Sequence, residues 1–295
     1  MENLSQLESE LWEAADLLRA NSKLTAAEYS LPVLGLIFLR HAYNRFLAVK
    51  ADIEPGLPVR GGVRAPLQAA HFQGKAAIFL PEQAQYSYLA SLPEGQDLGA
   101  ALVEAMNQIE AQVPMLQGAL PKEYTRLDNK LLLQLLRIFN REALQKASGD
   151  VFGRIYEYFL NKFAMSGAQE GGEFFTPPSL VRMIVNVIEP DHGIVFDPAC
   201  GSGGMFVWTG YFLTEQGIDP AQVVTFYGQE KAELNTRLSR MNLAVHGLEG
   251  QIVEGNTFYN RYDDLVGACD YVMANPPFNV DGVETARIKN DPRLA

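Results

Sequence analysis

A chain of 295 residues with 47% hydrophobic content has room for two domains and a sizeable core. Its longest strongly apolar run, 31–39, is too short to span a bilayer, and three glutamates among the first ten residues leave no basic region for a secretory signal. A formal charge of -11 argues against a protein that neutralises phosphates over its whole surface, although a local basic groove or a partner subunit can supply such a surface.

The first half reads as helical. Leu4, Leu7, Leu11, Ala14 and Leu18 recur at helical spacing, with Glu8, Glu10 and Asp16 off that stripe. Thr25-Ala26-Ala27-Glu28 fits a capping box, and Pro32 is expected to end or kink that helix and to open the next. Recurrent prolines and glycines over 52–98 exclude long helices, and further helices are expected at 127–139 and 151–163. These stripes read as core and partner surface. The expected division is a helical domain over 1–149 and a second domain over 150–295.

From about residue 150 strands alternate with helices: helix 177–188, strand 193–199, helix 205–216, strand 223–230, helix 231–246 stopped at Gly247, and strands 251–254 and 270–274. Leu234, Leu238, Met241 and Val245 would form one face of the helix before Gly247. The alternation predicts an α/β fold with a doubly wound, mostly parallel sheet. Two segments carry chemistry. Phe196-Asp197-Pro198-Ala199-Cys200-Gly201-Ser202-Gly203-Gly204 follows an apolar run and precedes a helix, so its glycines let the backbone turn tightly and approach a ligand. Ala274-Asn275-Pro276-Pro277-Phe278 ends another strand, and ligands of open α/β sheets bind at such carboxyl ends.

Glu230 closes the second strand, where an acidic residue can accept both hydroxyls of a ribose. It lies farther along than the roughly 20 residues of the dinucleotide fingerprint, and the loop is not G-x-G-x-x-G, so a nucleoside ligand fits better than NAD. His41, His71, His192 and His246 show no ligand spacing, and Cys200 and Cys269 lack companions, so no metal site is expected. Two cysteines also give no disulfide framework, which suits a reducing cytosol and a cytoplasmic protein. Cys200, inside the glycine loop, is read as a small loop residue and not as a nucleophile.

Asp-Pro-Ala-Cys-Gly-Ser-Gly-Gly followed by Asn-Pro-Pro-Phe resembles the motifs of amino-group DNA methyltransferases that use S-adenosyl-L-methionine. More specifically, the chain resembles the modification subunit of type I restriction-modification systems. Leu11-Trp12-Glu13-Ala14-Ala15-Asp16 and Leu34-Gly35-Leu36-Ile37-Phe38-Leu39 are similar to that family's helical N-terminal domain. Gly153-Arg154-Ile155-Tyr156-Glu157-Tyr158-Phe159-Leu160, Gly172-Glu173-Phe174-Phe175-Thr176-Pro177 and Arg240-Met241-Asn242-Leu243 are similar to its catalytic half.

The resemblance implies a Rossmann-like methyltransferase domain and roles for particular residues. Glu173, Phe174, Phe175, Thr176 and Pro177 would line the methionine end of the cofactor, although Thr176-Pro177 can also simply cap the following helix. Asp197 would orient the cofactor, with Ala199, Gly201, Ser202 and Gly203 passing beneath it and Glu230 holding the ribose. Asn256 stands where related enzymes commonly place an Asp against the adenine amine, and an amide oxygen can accept the same bond. Asn275 and Pro276 would place two acceptors against the hydrogens of an exocyclic amine, whose lone pair is otherwise delocalised into the ring. Pro276 and Pro277 would hold those acceptors in place, and Phe278 would stack on an adenine swung out of the duplex. The alternative is a structural proline turn with Phe278 in the core.

Partners implied by the resemblance are DNA, a specificity subunit, a second modification subunit and a restriction (nuclease/translocase) subunit, with no membrane. Only the short stretch 279–295 follows Phe278, so the chain reads as a C-terminally truncated family member, expected to bind cofactor weakly or not at all. Two functions follow: site-specific adenine N6-methylation with sequence choice made by the specificity subunit, or a non-catalytic assembly module. A third, methylation of a protein glutamine, uses a similar motif that usually ends in Tyr.

Overall fold

The computed structural model describes residues 4–293 apart from 23, 73–74, 76, 94, 172–175, 278–279, 281 and 292. The chain divides into two compact units, Met1–Gly167 and Ala168–Ala295. That divide falls later than the expected 149/150 boundary, because most of a long helix beginning at Gly149 packs into the first unit.

The first unit is built from α1 (Leu4–Ser22), α2 (Ala26–Ile53), the antiparallel ribbon β1 (Val59–Arg60) and β2 (Val63–Arg64), α3 (Tyr86–Ala90), α4 (Leu98–Glu110), α5 (Asn129–Phe139), α6 (Glu142–Gln145) and most of α7 (Gly149–Gly171). Amphipathic α5 carries Leu131, Leu132, Leu135, Leu136 and Phe139 on its buried side and contacts α1, α2 and α4. Trp12 meets Phe159 and Phe163 edge-on, with ring centroids 5.4 and 5.0 Å apart, an aromatic geometry worth about 1 kcal/mol beyond area burial. α4 was not anticipated, although Asp97 caps it and Leu98, Leu102, Ala105, Met106 and Ile109 are buried at helical spacing.

Two expectations for this unit are corrected. The Thr25–Glu28 capping box forms, but Pro32 neither ends nor breaks the helix: α2 runs through it to Ile53. Tertiary packing outweighs the lost amide, since Leu31, Val33, Leu34 and Leu36 to Leu39 are all buried and the Tyr124 hydroxyl donates to the Pro32 carbonyl at 3.1 Å. Glu8 is not on the solvent side of α1. It is buried, and desolvation raises its pKa.

In the second unit α8 (Pro178–Ile188) leads into β3 (Gly193–Asp197), followed by α9 (Gly204–Glu215), α10 (Pro220–Val223), β4 (Val224–Glu230), α11 (Glu233–Val245), β5 (Gly250–Glu254), β6 (Tyr271–Val272) and α12 (Thr285–Ile288). The four strands are parallel in the order β5-β4-β3-β6. The chain leaves β3 towards β4 and β5 on one side, then returns to place β6 on the other, so the strand order reverses at β3. In such sheets that reversal opens a crevice at the carboxyl ends of the two strands that flank it, β3 and β6.

Alternation along the strands sorts the faces. Phe226 meets Phe206 of α9 at 5.1 Å, while its neighbour Tyr227 meets Tyr262 at 6.4 Å and Phe196 meets Tyr262 at 5.6 Å. Helix α9 contacts both α8 and α11, and the second face carries the long connection from β5 to β6. No helix among the described residues is long and apolar enough to cross a membrane.

Candidate functional site

The carboxyl ends of the four strands and their following loops converge. After β3 the chain turns through Gly201 (φ +53°) and Gly203 (φ +82°), both in the left-handed region that a side chain resists. A Cβ on Gly203 would lie 2.7 Å from Ser239 Oγ of α11, so this glycine also permits close packing. A Cβ on Gly201 would meet nothing within 4 Å, which leaves open space beside the backbone. Beneath the loop, Gly228 of β4 lacks the Cβ that would collide with Ile252 at 2.7 Å and Cys200 Sγ at 2.9 Å.

Hydrogen bonds tie the loop to its surroundings. Cys200 N donates to the Gln229 carbonyl at 3.0 Å, and Gly203 N to the Cys200 carbonyl at 2.8 Å. Asn242 Nδ2 of α11 donates to the Ser202 carbonyl at 2.9 Å. Thr257 Oγ1, after β5, donates to the Pro198 carbonyl. Asn242 was missed from the sequence as a loop support, and Ser239 as the side chain packed against Gly203. The expected apolar face of α11 is also corrected: Leu234 is exposed, whereas polar Thr236, Ser239 and Asn242 are buried with Met241 and Val245. Of the three polar residues, Asn242 bonds the loop, Ser239 packs against its Gly203, and Thr236 bonds the Ala232 carbonyl.

Two carboxylates flank this loop. Asp197 is 2% exposed and accepts from Ala199 N at 2.9 Å. Burial pushes its pKa up to about 7, against the lowering effect of that amide and with a smaller push from Glu230. Glu230 accepts from Gly201 N through one oxygen and from Ala232 N through the other, both at 2.9 Å. Burial also drives the Cys200 thiol well above its ordinary value, so it stays protonated and unreactive at neutral pH.

β6 lies beside β3, pairing Val195 with Tyr271 and Phe196 with Val272. Met273 N donates to the Phe196 carbonyl at 3.0 Å and so continues that register opposite Asp197, and Asn275 follows two residues further on, in the loop beyond the carboxyl end of β6, with Pro276 and Pro277 exposed. Its Nδ2 donates to Thr176 Oγ1 at 2.8 Å. Thr176 does not cap α8, contrary to the simpler expectation; Pro177 holds the cap position and supplies no side-chain bond. Asn256 uses its Oδ1 to accept from Phe258 N at 3.0 Å in a local turn, and its own amide donates to Asn260 Oδ1. Glu173, Phe174, Phe175 and Phe278 lie outside the described residues. Among the described residues no cluster of three metal-ligating side chains occurs.

The acidic pair, the glycine loop and the open space beside Gly201 belong to an α/β domain that carries an amide after the adjacent strand, the edge at which open α/β sheets bind ligands. Comparison makes the class specific. Residues 147–295 match the profile of N-6 DNA methylases, and residues 7–139 match that of the HsdM N-terminal domain. The chain belongs to the N-6 DNA methylase family.

The chain is 36% identical over 306 residues to the type I restriction enzyme MjaIX methylase subunit of Methanocaldococcus jannaschii, covering 98% of this chain and 54% of that protein. It is 37% identical over 159 residues to the HindI methylase subunit of Haemophilus influenzae, covering 53% and 35%. The chain thus spans about half the length, or less, of these curated relatives. In structure it superposes on the type I restriction-modification system methyltransferase subunit from Streptococcus thermophilus with a TM-score of 0.77 at 19% identity, over 99% of this chain and 67% of that one. The fold is that of this methyltransferase subunit.

Proposed function

We propose that the chain is the adenine-methylating part of a type I modification subunit, transferring a methyl group from S-adenosyl-L-methionine to the exocyclic N6 of an adenine swung out of DNA. The observation that supports this reading is strand adjacency: β6 pairs in parallel with β3, so the glycine loop and the loop carrying Asn275 leave the same edge of the sheet from neighbouring strands. Such a crevice brings a cofactor held by one loop against a substrate held by the next.

The residues fit the cofactor. Open space beside Gly201 admits a ligand against the backbone, and two carboxylates suit a ligand rich in hydroxyl and ammonium donors. A carboxylate has about four acceptor sites, so Glu230 can keep its two backbone amides and still accept ribose hydroxyls. Asp197 with Ala199, and the Gly201-Ser202-Gly203 turn, would orient the rest, with Glu173, Phe174, Phe175, Thr176 and Pro177 on the methionine side. S-adenosyl-L-methionine supplies an electrophilic methyl on a sulfonium when bound. Asn275 Oδ1 and the Pro276 carbonyl accept the two hydrogens of the amine, favouring a pyramidal nitrogen as positive charge develops on it. Pro276 and Pro277 hold that geometry through their fixed φ. Phe278 would stack on the adenine, and Asn256, whose Oδ1 already accepts from Phe258 N, would lie towards the adenine of the cofactor.

The N-terminal helices serve assembly with a specificity subunit, a second modification subunit and a restriction subunit, in the cytoplasm. The test is transfer of tritiated methyl from S-adenosyl-L-methionine to unmethylated bacterial genomic DNA, with and without a type I specificity subunit, followed by mass spectrometry of the nucleosides. N6-methyldeoxyadenosine, lost in Asn275→Ala, supports the reading; methylated cytosine, or a methylated protein glutamine in its place, overturns it.

A further inference from the structure

Two sequence-distant residues with the same local constraint face each other beside the strand reversal. Thr176 precedes Pro177, and Asn275 precedes Pro276. A residue before proline is pushed to extended backbone, because the ring crowds its amide and Cβ. Both backbones are thereby restricted, but the Asn275 amide is not: its last torsion joins sp3 to sp2 carbon and is broad. Pro276 and Pro277 carry no N–H and cannot anchor it from their own backbone donors. What meets the amide is the Thr176 hydroxyl, accepting from Nδ2 at 2.8 Å. Thr176 is suited to this, since its β-branched side chain is stiff at χ1 and its hydroxyl caps no helix.

We infer that Thr176 is a positioning residue for methyl transfer: by taking the Nδ2 donor of Asn275 it fixes the plane of that amide and leaves Oδ1 to face the substrate amine. This rests on the methyl-transfer reading above. A hydroxyl can also donate, so the sense of the amide is set jointly. The amine presents two hydrogens, and only the amide oxygen can accept one of them. Without the Thr176 hydroxyl the amide loses this acceptor, and turned over it sets a donor against a donor.

Two variants separate this role from mere packing. Thr176→Val keeps shape and β-branching but removes the acceptor, whereas Thr176→Ser keeps the acceptor. Methyl transfer from S-adenosyl-L-methionine to unmethylated genomic DNA is measured with the specificity subunit present, and side-chain amide exchange of Asn275 is followed by nitrogen-15 NMR on the chain alone. Expected for Thr176→Val is a kcat lower by about tenfold, the scale of one lost hydrogen bond. Asn275 amide protons exchange faster in that variant, and Thr176→Ser recovers both properties. Unchanged kcat in Thr176→Val, an equal loss in Thr176→Ser, or Asn275 exchange as fast in the wild type as in Thr176→Val would overturn the inference. A wild type that modifies no adenine overturns the function reading and the catalytic role together, while the exchange comparison still reports separately on the contact.

Discussion

Glu230 reaches back to the glycine loop and accepts the Gly201 amide at 2.9 Å, using its other oxygen for the Ala232 amide at the same distance. The residue read from the sequence as a ribose acceptor is thus also what fastens the loop to the end of β4. Glu230→Ala leaves two amides without their charged acceptor. Because the site is part-exposed, water recovers some of the loss, and we expect about 2 kcal/mol of destabilisation in urea unfolding. Glu230→Gln should fall between the two, since its single oxygen serves one amide and its NH2 opposes the other.

Asp197 gives a pH signature. Burial favours its neutral form in the folded chain, with a pKa of about 7, whereas the unfolded chain ionises near the ordinary carboxylate value. Between about pH 4 and pH 7 the folded state holds a proton that the unfolded state has released. This contribution is therefore fully present below about pH 4, declines as pH rises, and is gone above the folded pKa, a change on the order of 4 kcal/mol at most. Asp197→Asn should flatten the stability-pH curve over that window relative to the wild type. Parallel curves for the two proteins would contradict it.

Gly203 meets two separable constraints, a left-handed φ of +82° and Ser239 Oγ at 2.7 Å from where a Cβ would sit. Gly203→Ala should cost about 2 to 4 kcal/mol, combining backbone strain with the clash. In a Ser239→Ala background the clash is relieved and only the strain of about 1 to 2 kcal/mol should remain. The double-mutant cycle by denaturant titration reads the difference.

The two cysteines should differ in reactivity. Cys200 is 6% exposed with its thiol held protonated by burial, while Cys269 is only half-buried. A thiol-reactive disulfide reagent on the native chain should label Cys269 first and reach Cys200 only on unfolding. Equal rates would place Cys200 in an open loop.

Much of this was legible in the sequence because the signals were periodic or punctuated. The strands around Val195 and Phe226, the stop at Gly247 and the turn at Gly201 and Gly203 follow from alternation and from glycine's freedom. Pro32 misled because propensity sees a missing amide and not the buried leucines on either side. Ser239 and Asn242 were invisible to hydrophobic periodicity, which credits a helix face only for apolar residues, yet both are buried against the glycine loop, Asn242 bonding the Ser202 carbonyl and Ser239 lying against Gly203. The Thr176–Asn275 contact joins positions 99 residues apart and no local pattern could reveal it. Resemblance placed both motifs at one site, but the hydrogen bond between them needed coordinates.

The glycine loop and its carboxylates are proposed to bind S-adenosyl-L-methionine. Isothermal titration of that cofactor into the 295-residue chain, with Glu230→Ala in parallel, tests it most directly. In place of the weak or absent binding expected from the short stretch after Phe278, saturable one-to-one binding is predicted, lost in the variant while it stays folded. A folded wild-type chain that releases no binding heat and shows no thermal stabilisation at millimolar cofactor would contradict it.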